Sequence, residues 1–304
     1  MSEAPGRALL GGTVAGLAAG ALWGLVFVAP RMVGGYSSLD LTAGRFAACG
    51  VVAALVMLLI PRTRGIPTPR QALAAVGLSM LGATGYYLLL VMAIRDAGSE
   101  VPALIIGTIP LWLMVLGKPR GLRWRALLPG LALTAGGLGL MMAAPLAGGA
   151  VAGPHPVRGI ALTVASLASW TAFAILNSAW LKRHPEVNST VWANWLGVAT
   201  GVGALVLWAA AGSDARSLAA QPDAALFAAL CLATGFGSAW LGTVLWNVAS
   251  RRLAPSLCGQ LVVSETLFAL AYSFAWDGRW PTPAQAAASV LFTFGIIATI
   301  RAHQ

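Results

Sequence analysis

Ten stretches of about 20 apolar residues, separated by short segments that hold almost all of the charge, leave this chain few ways to fold. They run roughly over 8–30, 39–60, 71–94, 100–117, 125–145, 158–181, 189–211, 224–249, 255–276 and 283–301, the fourth being the shortest. A hydrocarbon core about 30 Å thick needs about 20 such residues per α-helix. A helix satisfies its backbone N–H and C=O groups internally, as lipid requires. A barrel strand alternates apolar and polar residues, whereas these runs are apolar on every face. The first stretch is longer than a signal-peptide core of about 7–15 residues and is read as a helix of the bundle. Composition agrees. Only 9% of the residues are charged and 58% are hydrophobic, against about 25% charged in a soluble domain. The chain is too apolar for disorder, and 3 cysteines are too few for a disulfide scaffold. A net charge of +10 suits a nucleic-acid binder, but the basic residues are scattered in small groups between apolar runs rather than gathered in a patch. The fold class expected is therefore all-α integral membrane, with ten transmembrane helices.

Basic residues in short loops orient such a bundle. The tails and even-numbered loops hold Arg7, Arg62, Arg64, Arg70, Lys118, Arg120, Arg123, Arg125, Lys182, Arg183, Arg251, Arg252 and Arg301. The odd-numbered loops hold Arg31, Arg95, Arg158, Arg216 and Arg279. That imbalance puts both termini in the cytoplasm, and it requires an even number of spans.

The halves of the chain echo each other. Ala83-Thr84-Gly85-Tyr86 in the third span returns as Ala233-Thr234-Gly235-Phe236 in the eighth. Pro102-Ala103-Leu104 resembles Pro255-Ser256-Leu257, and Trp23 has a counterpart in Trp170. The order is kept at a spacing of about half the chain. Residues 1–150 and 151–304 are thus expected to form two five-helix repeats. An odd number of spans per repeat inverts the second relative to the first, an organisation typical of secondary transporters with a site near the midplane.

These residues, with the Trp23-Gly24 pair late in the first span and Arg45-Phe46 in the second, resemble the EamA-type transporters of the drug/metabolite transporter superfamily. Asp277 to Gln285 resembles that family's link between its last two helices, usually written Gly-Glu-x-Leu-Thr-x-x-Gln, and Lys118 to Arg125 resembles the first-half counterpart. The usual Glu is Lys118 in one link and Asp277 in the other. Gly235-Phe236 followed by Trp246-Asn247-Val248 is similar to the YddG-like branch of bacterial amino-acid exporters. The resemblance implies a multi-pass protein of the bacterial inner membrane that moves small molecules.

Intramembrane charge is the sharpest local signal, because a charged side chain at bilayer depth must face a cavity or a partner. Glu265 lies near the middle of span nine, and Arg45 about six residues into span two. Arg45 is either a cavity residue within reach of Glu265 or a snorkelling side chain bonded to Asp40 or to headgroups. Glu265 is either a proton or substrate-ammonium site or a protonated acid bonded to a helix. Aromatic and polar residues at membrane depth supply further cavity candidates: Trp23, Thr84, Tyr86, Tyr87, Trp112, Trp170, Asn177, Trp240, Trp246, Asn247 and Gln260. Ordinary packing and helix–helix hydrogen bonding are the competing readings. Trp124, Trp208, Trp276 and Trp280 sit at span ends, as interfacial tryptophans do.

No phosphate-binding Gly-x-x-x-x-Gly-Lys-Ser/Thr loop occurs, and the histidines and cysteines are too dispersed for a metal or nucleophile site. No catalytic residue, metal or cofactor is expected, and an enzyme is not. Few charges and many rings suit a small amphiphilic solute, with ammonium groups held by cation–π contact. The expected function is non-ATP export of such metabolites, amino acids including aromatic ones, by alternating access. The expected partners are the substrate and the lipid bilayer, with no nucleic acid and a monomeric protein. The alternatives are a lipid or lipid-linked sugar flippase, and a non-transporting membrane subunit or sensor.

Overall fold

The computed structural model describes residues 5–98, 100–147 and 153–304. The 150/151 boundary expected between the two halves lies outside the described residues. Helices dominate, and no strand occurs among the described residues. Among the described residues, nine helices are long and apolar enough to cross a membrane: α1 (Gly6–Phe27), α2 (Leu39–Leu59), α3 (Pro69–Ala97), α5 (Trp124–Ala143), α6 (Pro156–Arg183), α7 (Ser189–Ala211), α8 (Ala224–Arg252), α9 (Pro255–Asp277) and α10 (Pro283–Ala302). The stretch expected over 100–117 is a shorter apolar helix, α4 (Val101–Leu116). It is interrupted at Gly107 and Thr108. The Thr108 hydroxyl turns back to the Ile105 carbonyl at 2.6 Å, and Pro110 offers no N–H to carry the ladder across the break.

Helix starts follow local chemistry. Thr68 with Gln71 opens α3, and Thr282 with Gln285 opens α10, each as a reciprocal capping box followed by Pro. The hydroxyl accepts from the N3 backbone while the Gln amide oxygen accepts from the cap N–H. The Thr-x-x-Gln part of the 277–285 link is therefore a helix start.

Packing brings distant segments together. The α1 helix packs on α8 and α9, and α6 packs on α3 and α4. Similarly α2 packs on α7 and α8, and α7 on α2 and α3, while α4 meets α9 and α5 meets α10. Exchanging α1–α5 with α6–α10 maps this pairing onto itself. The echo of Ala83-Thr84-Gly85 and Ala233-Thr234-Gly235 also has a structural counterpart. Each copy adjoins a π-helical turn, Met80–Thr84 ending on the Thr in α3 and Gly235–Leu241 beginning just after it in α8. Such turns are rare and cluster at functional sites. In α3 the Gly85 N–H donates to the Met80 carbonyl five residues back. A Cβ on Gly85 would sit 2.6 Å from that oxygen, so the turn requires glycine.

The connections gather at two ends. At one, Ser256 bonds His303 at 2.8 Å, Gly117 lies against Pro255 and Gly65 against Trp195. This end carries the basic clusters at 62–70, 118–125, 182–183 and 251–252 and is called the basic end. At the other, Arg31 pairs with Asp277 at 3.2 Å and Arg158 with Asp96.

Candidate functional site

A cavity of about 710 Å³ lies among α1, α2, α3, α4, α6, α7, α8 and α9. Small-molecule sites span about 300–1,000 Å³. Its lining begins near the end opposite the basic one, at Phe27, Leu41 and Ile94, and stops short of the basic end, at Leu78, Ala193 and Trp246. Both π turns border it, through Gly82 and Ala83 in α3 and Ser238 and Ala239 in α8.

Tryptophans build the floor. Trp246 lies between Trp23, with ring centroids 5.3 Å apart, and Trp170, at 6.1 Å. Phe173 continues the row 6.2 Å from Trp170. The Trp23 indole N–H donates to the Ser238 carbonyl at 3.1 Å, across from α1 to α8. Trp246 is 2% exposed, and its indole N–H finds no partner among the described residues. Higher up, Tyr87 is edge-on to both Tyr86 and Phe46.

Glu265 and Arg45 line the same cavity. The backbone around Glu265 is held by the close approach of α1. A Cβ on Gly24 would meet the Ala269 nitrogen at 2.9 Å and the Glu265 carbonyl oxygen at 3.2 Å, and one on Gly20 would collide with Ser264. Gly24 thus lets α1 touch α9 at the Glu265 turn, while its neighbour Trp23 faces the cavity. On the far wall, the Arg45 guanidinium lies over the Phe46 ring at 5.0 Å, and its Nε is buried without a hydrogen-bond partner among the described residues. Asp40 is otherwise engaged, accepting from the Ser37 hydroxyl at 2.6 Å and from the Ser213 N–H and hydroxyl at 2.8 and 2.7 Å. No ion pair of the described residues joins Arg45 to Asp40 or to Glu265.

Of the residues expected at the site from sequence, Trp23, Tyr86, Tyr87, Trp170, Trp246, Glu265 and Arg45 line the cavity. The others lie elsewhere. Trp112 is 48% exposed on the outside of the bundle. Gln260 exchanges hydrogen bonds with Thr134, tying α9 to α5. Asn177 donates to Asn247 at 2.9 Å and accepts from the Trp192 indole at 2.7 Å, joining α6, α8 and α7. Trp240 donates to Asn194 at 2.8 Å. Thr84 is buried against Gly203. Phe46, marked in the sequence only through the Arg45-Phe46 pair, and Phe173, which no motif marks, also line the cavity. Phe173 stands three residues from Trp170 and so shares its helix face.

The basic end below the cavity is sealed. Trp180 stacks on Trp192 at 3.5 Å within an apolar cluster that includes Leu78, Leu181, Trp195 and Leu196. The Ser79 and Thr200 hydroxyls bond at 2.9 Å between α3 and α7. The Asn177–Asn247 bridge and the Lys182 ammonium, 2.6 Å from the Leu253 carbonyl, complete the closure.

Comparison with known proteins agrees with this architecture. The profile of the EamA-like transporter family matches residues 10–142. The inner membrane protein YtfF of Escherichia coli (strain K12) is 30% identical over 309 aligned positions, covering 97% of this chain and 96% of that protein. A crystal structure superposes with a TM-score of 0.74 at 22% identity, covering 94% of this chain and 97% of the other.

Proposed function

The chain belongs to the EamA-like transporter family, and from that premise we propose that it is a secondary exporter of small amphiphilic metabolites, amino acids including aromatic ones among them. Alternating access would carry them between two inverted five-helix halves, counting α4 as the tenth span. The carrying observation is the aromatic cavity, which runs from one end, stops short of the basic end and is sealed there. An exchange-symmetric helix pairing, with a π turn adjoining each copy of the Ala-Thr-Gly echo, supports the two-repeat reading. The basic loops point the sealed end to the cytoplasm, so the cavity faces outward, and the bacterial inner membrane is the proposed location. Closure of the outer end and opening of the Trp192 cluster would complete a cycle. Purified protein in proteoliposomes preloaded with an amino acid mixture should show counterflow of at least one labelled amino acid. Silence toward the whole set, aromatic members included, would reject this reading. Scrambling of labelled lipid by the same vesicles would favour a flippase instead.

A further inference from the structure

We propose that Arg45 and Glu265 form a two-point site for a zwitterion, the guanidinium taking the carboxylate of an amino acid and Glu265 its ammonium, while the tryptophan floor takes the side chain. This rests on the transporter reading above and assigns its specificity to two residues. Both side chains line one cavity at membrane depth, where an unmatched charge costs several kcal/mol. Neither is in an ion pair among the described residues, and Asp40, the nearest acid in sequence to Arg45, is held by Ser37 and Ser213. The cavity therefore presents a guanidinium and a carboxyl group that are not ion-paired with each other. A buried Nε on Arg45 and a buried indole N–H on Trp246 both find no partner among the described residues. Both atoms are donors, and a carboxylate accepts from donors only. Guanidinium and carboxylate match as a planar bidentate pair. Trp23 and Trp170 line the same cavity and offer it ring faces that attract an ammonium. A solute bearing only an anion would face Glu265, and one bearing only a cation would face Arg45. The solute that satisfies both carries both charges on one small frame.

The test compares three labelled solutes in counterflow: phenylalanine, phenethylamine (no carboxylate) and N-acetylphenylalanine (no ammonium). Wild-type protein should exchange phenylalanine about tenfold faster than either analogue, the usual scale for losing one charge-assisted bond. Arg45→Gln should narrow the gap to phenethylamine and leave the gap to N-acetylphenylalanine. Glu265→Gln should do the reverse, and Arg45→Lys should restore part of the first gap. Equal wild-type exchange of all three solutes would overturn the two-point site without touching the transport reading. So would a uniform loss of all three fluxes in both well-folded variants. Absence of any wild-type flux would overturn the amino-acid transport reading itself, and the site with it.

Discussion

Residues in this protein divide by what their polar atoms meet. Asn177, Asn247 and Gln260 stand out in the sequence as polar groups at membrane depth; Asn177 and Gln260 spend their amides on other helices, and Asn247 accepts from Asn177 while its Nδ2 has no partner among the described residues. Such bonds average only about 0.6 kcal/mol in membrane proteins, but they set helix register. Arg45, Glu265 and Trp246 face the cavity instead. No spacing rule separates the two groups, because a residue's neighbours come from other helices. Small residues show the same dependence on context. Gly24 and Gly139 both lie in helices, yet a Cβ on Gly139 meets nothing within 4 Å, whereas one on Gly24 meets α9 backbone at 2.9 Å. Gly24→Ala should therefore lower the Tm of the detergent-solubilised protein, with an overpacking cost of about 1–3 kcal/mol. Gly139→Ala should leave the Tm unchanged or raise it, as helix propensity favours Ala by about 1 kcal/mol. A thermal melt of both variants decides this, and equal shifts would show that the α1–α9 contact is not tight.

Helices, as elements, were legible wherever apolar length and a capping pattern agreed. The Thr-Pro-x-Gln starts of α3 and α10 are local chemistry and need no tertiary context. Legibility failed where the helix departs from regularity. The interruption in α4 and the π turns in α3 and α8 all border the cavity. An apolar run does not reveal a skipped hydrogen bond. The end of α10 shows how an element is anchored. The Thr299 carbonyl can only accept, so His303 Nδ1, 2.8 Å away, carries the proton, and Nε2 accepts from the Ser256 hydroxyl at 2.8 Å. Burial holds the His303 pKa below its usual value, against the opposing pull of the Thr299 bond. With the folded pKa lowered, the unfolded chain binds the proton first as pH falls. The contribution is thus present above the unfolded value of about 6.5 and lost on acidification below it. Melts between pH 7.5 and 5 should show a decline that His303→Gln reduces. An identical slope in the variant would mean that the tether does not titrate.

At the scale of the whole molecule, the charge asymmetry and the cavity combine into one orientation. The basic loops gather at the sealed end, and the orientation proposed from the positive-inside rule would turn the cavity outward. Cysteines introduced at exposed positions read this directly, since Cys49, Cys231 and Cys258 are buried. A membrane-impermeant maleimide should label Trp280→Cys in intact spheroplasts and Gly121→Cys only after lysis. The opposite pattern would reverse both the topology and the direction in which the cavity faces.

Apolar length determined by itself that the chain is a helical membrane protein, because partitioning between lipid and water acts on each segment almost independently. The cavity was decided by tertiary structure alone. Whether a tryptophan or an asparagine faces solvent, ligand or another helix depends on which helices pack around it, and those lie up to half a chain away. Arg45 and Glu265, separated by 220 positions in the chain, become walls of one cavity only after α9 has packed on α1 and α4, and α2 on α7 and α8.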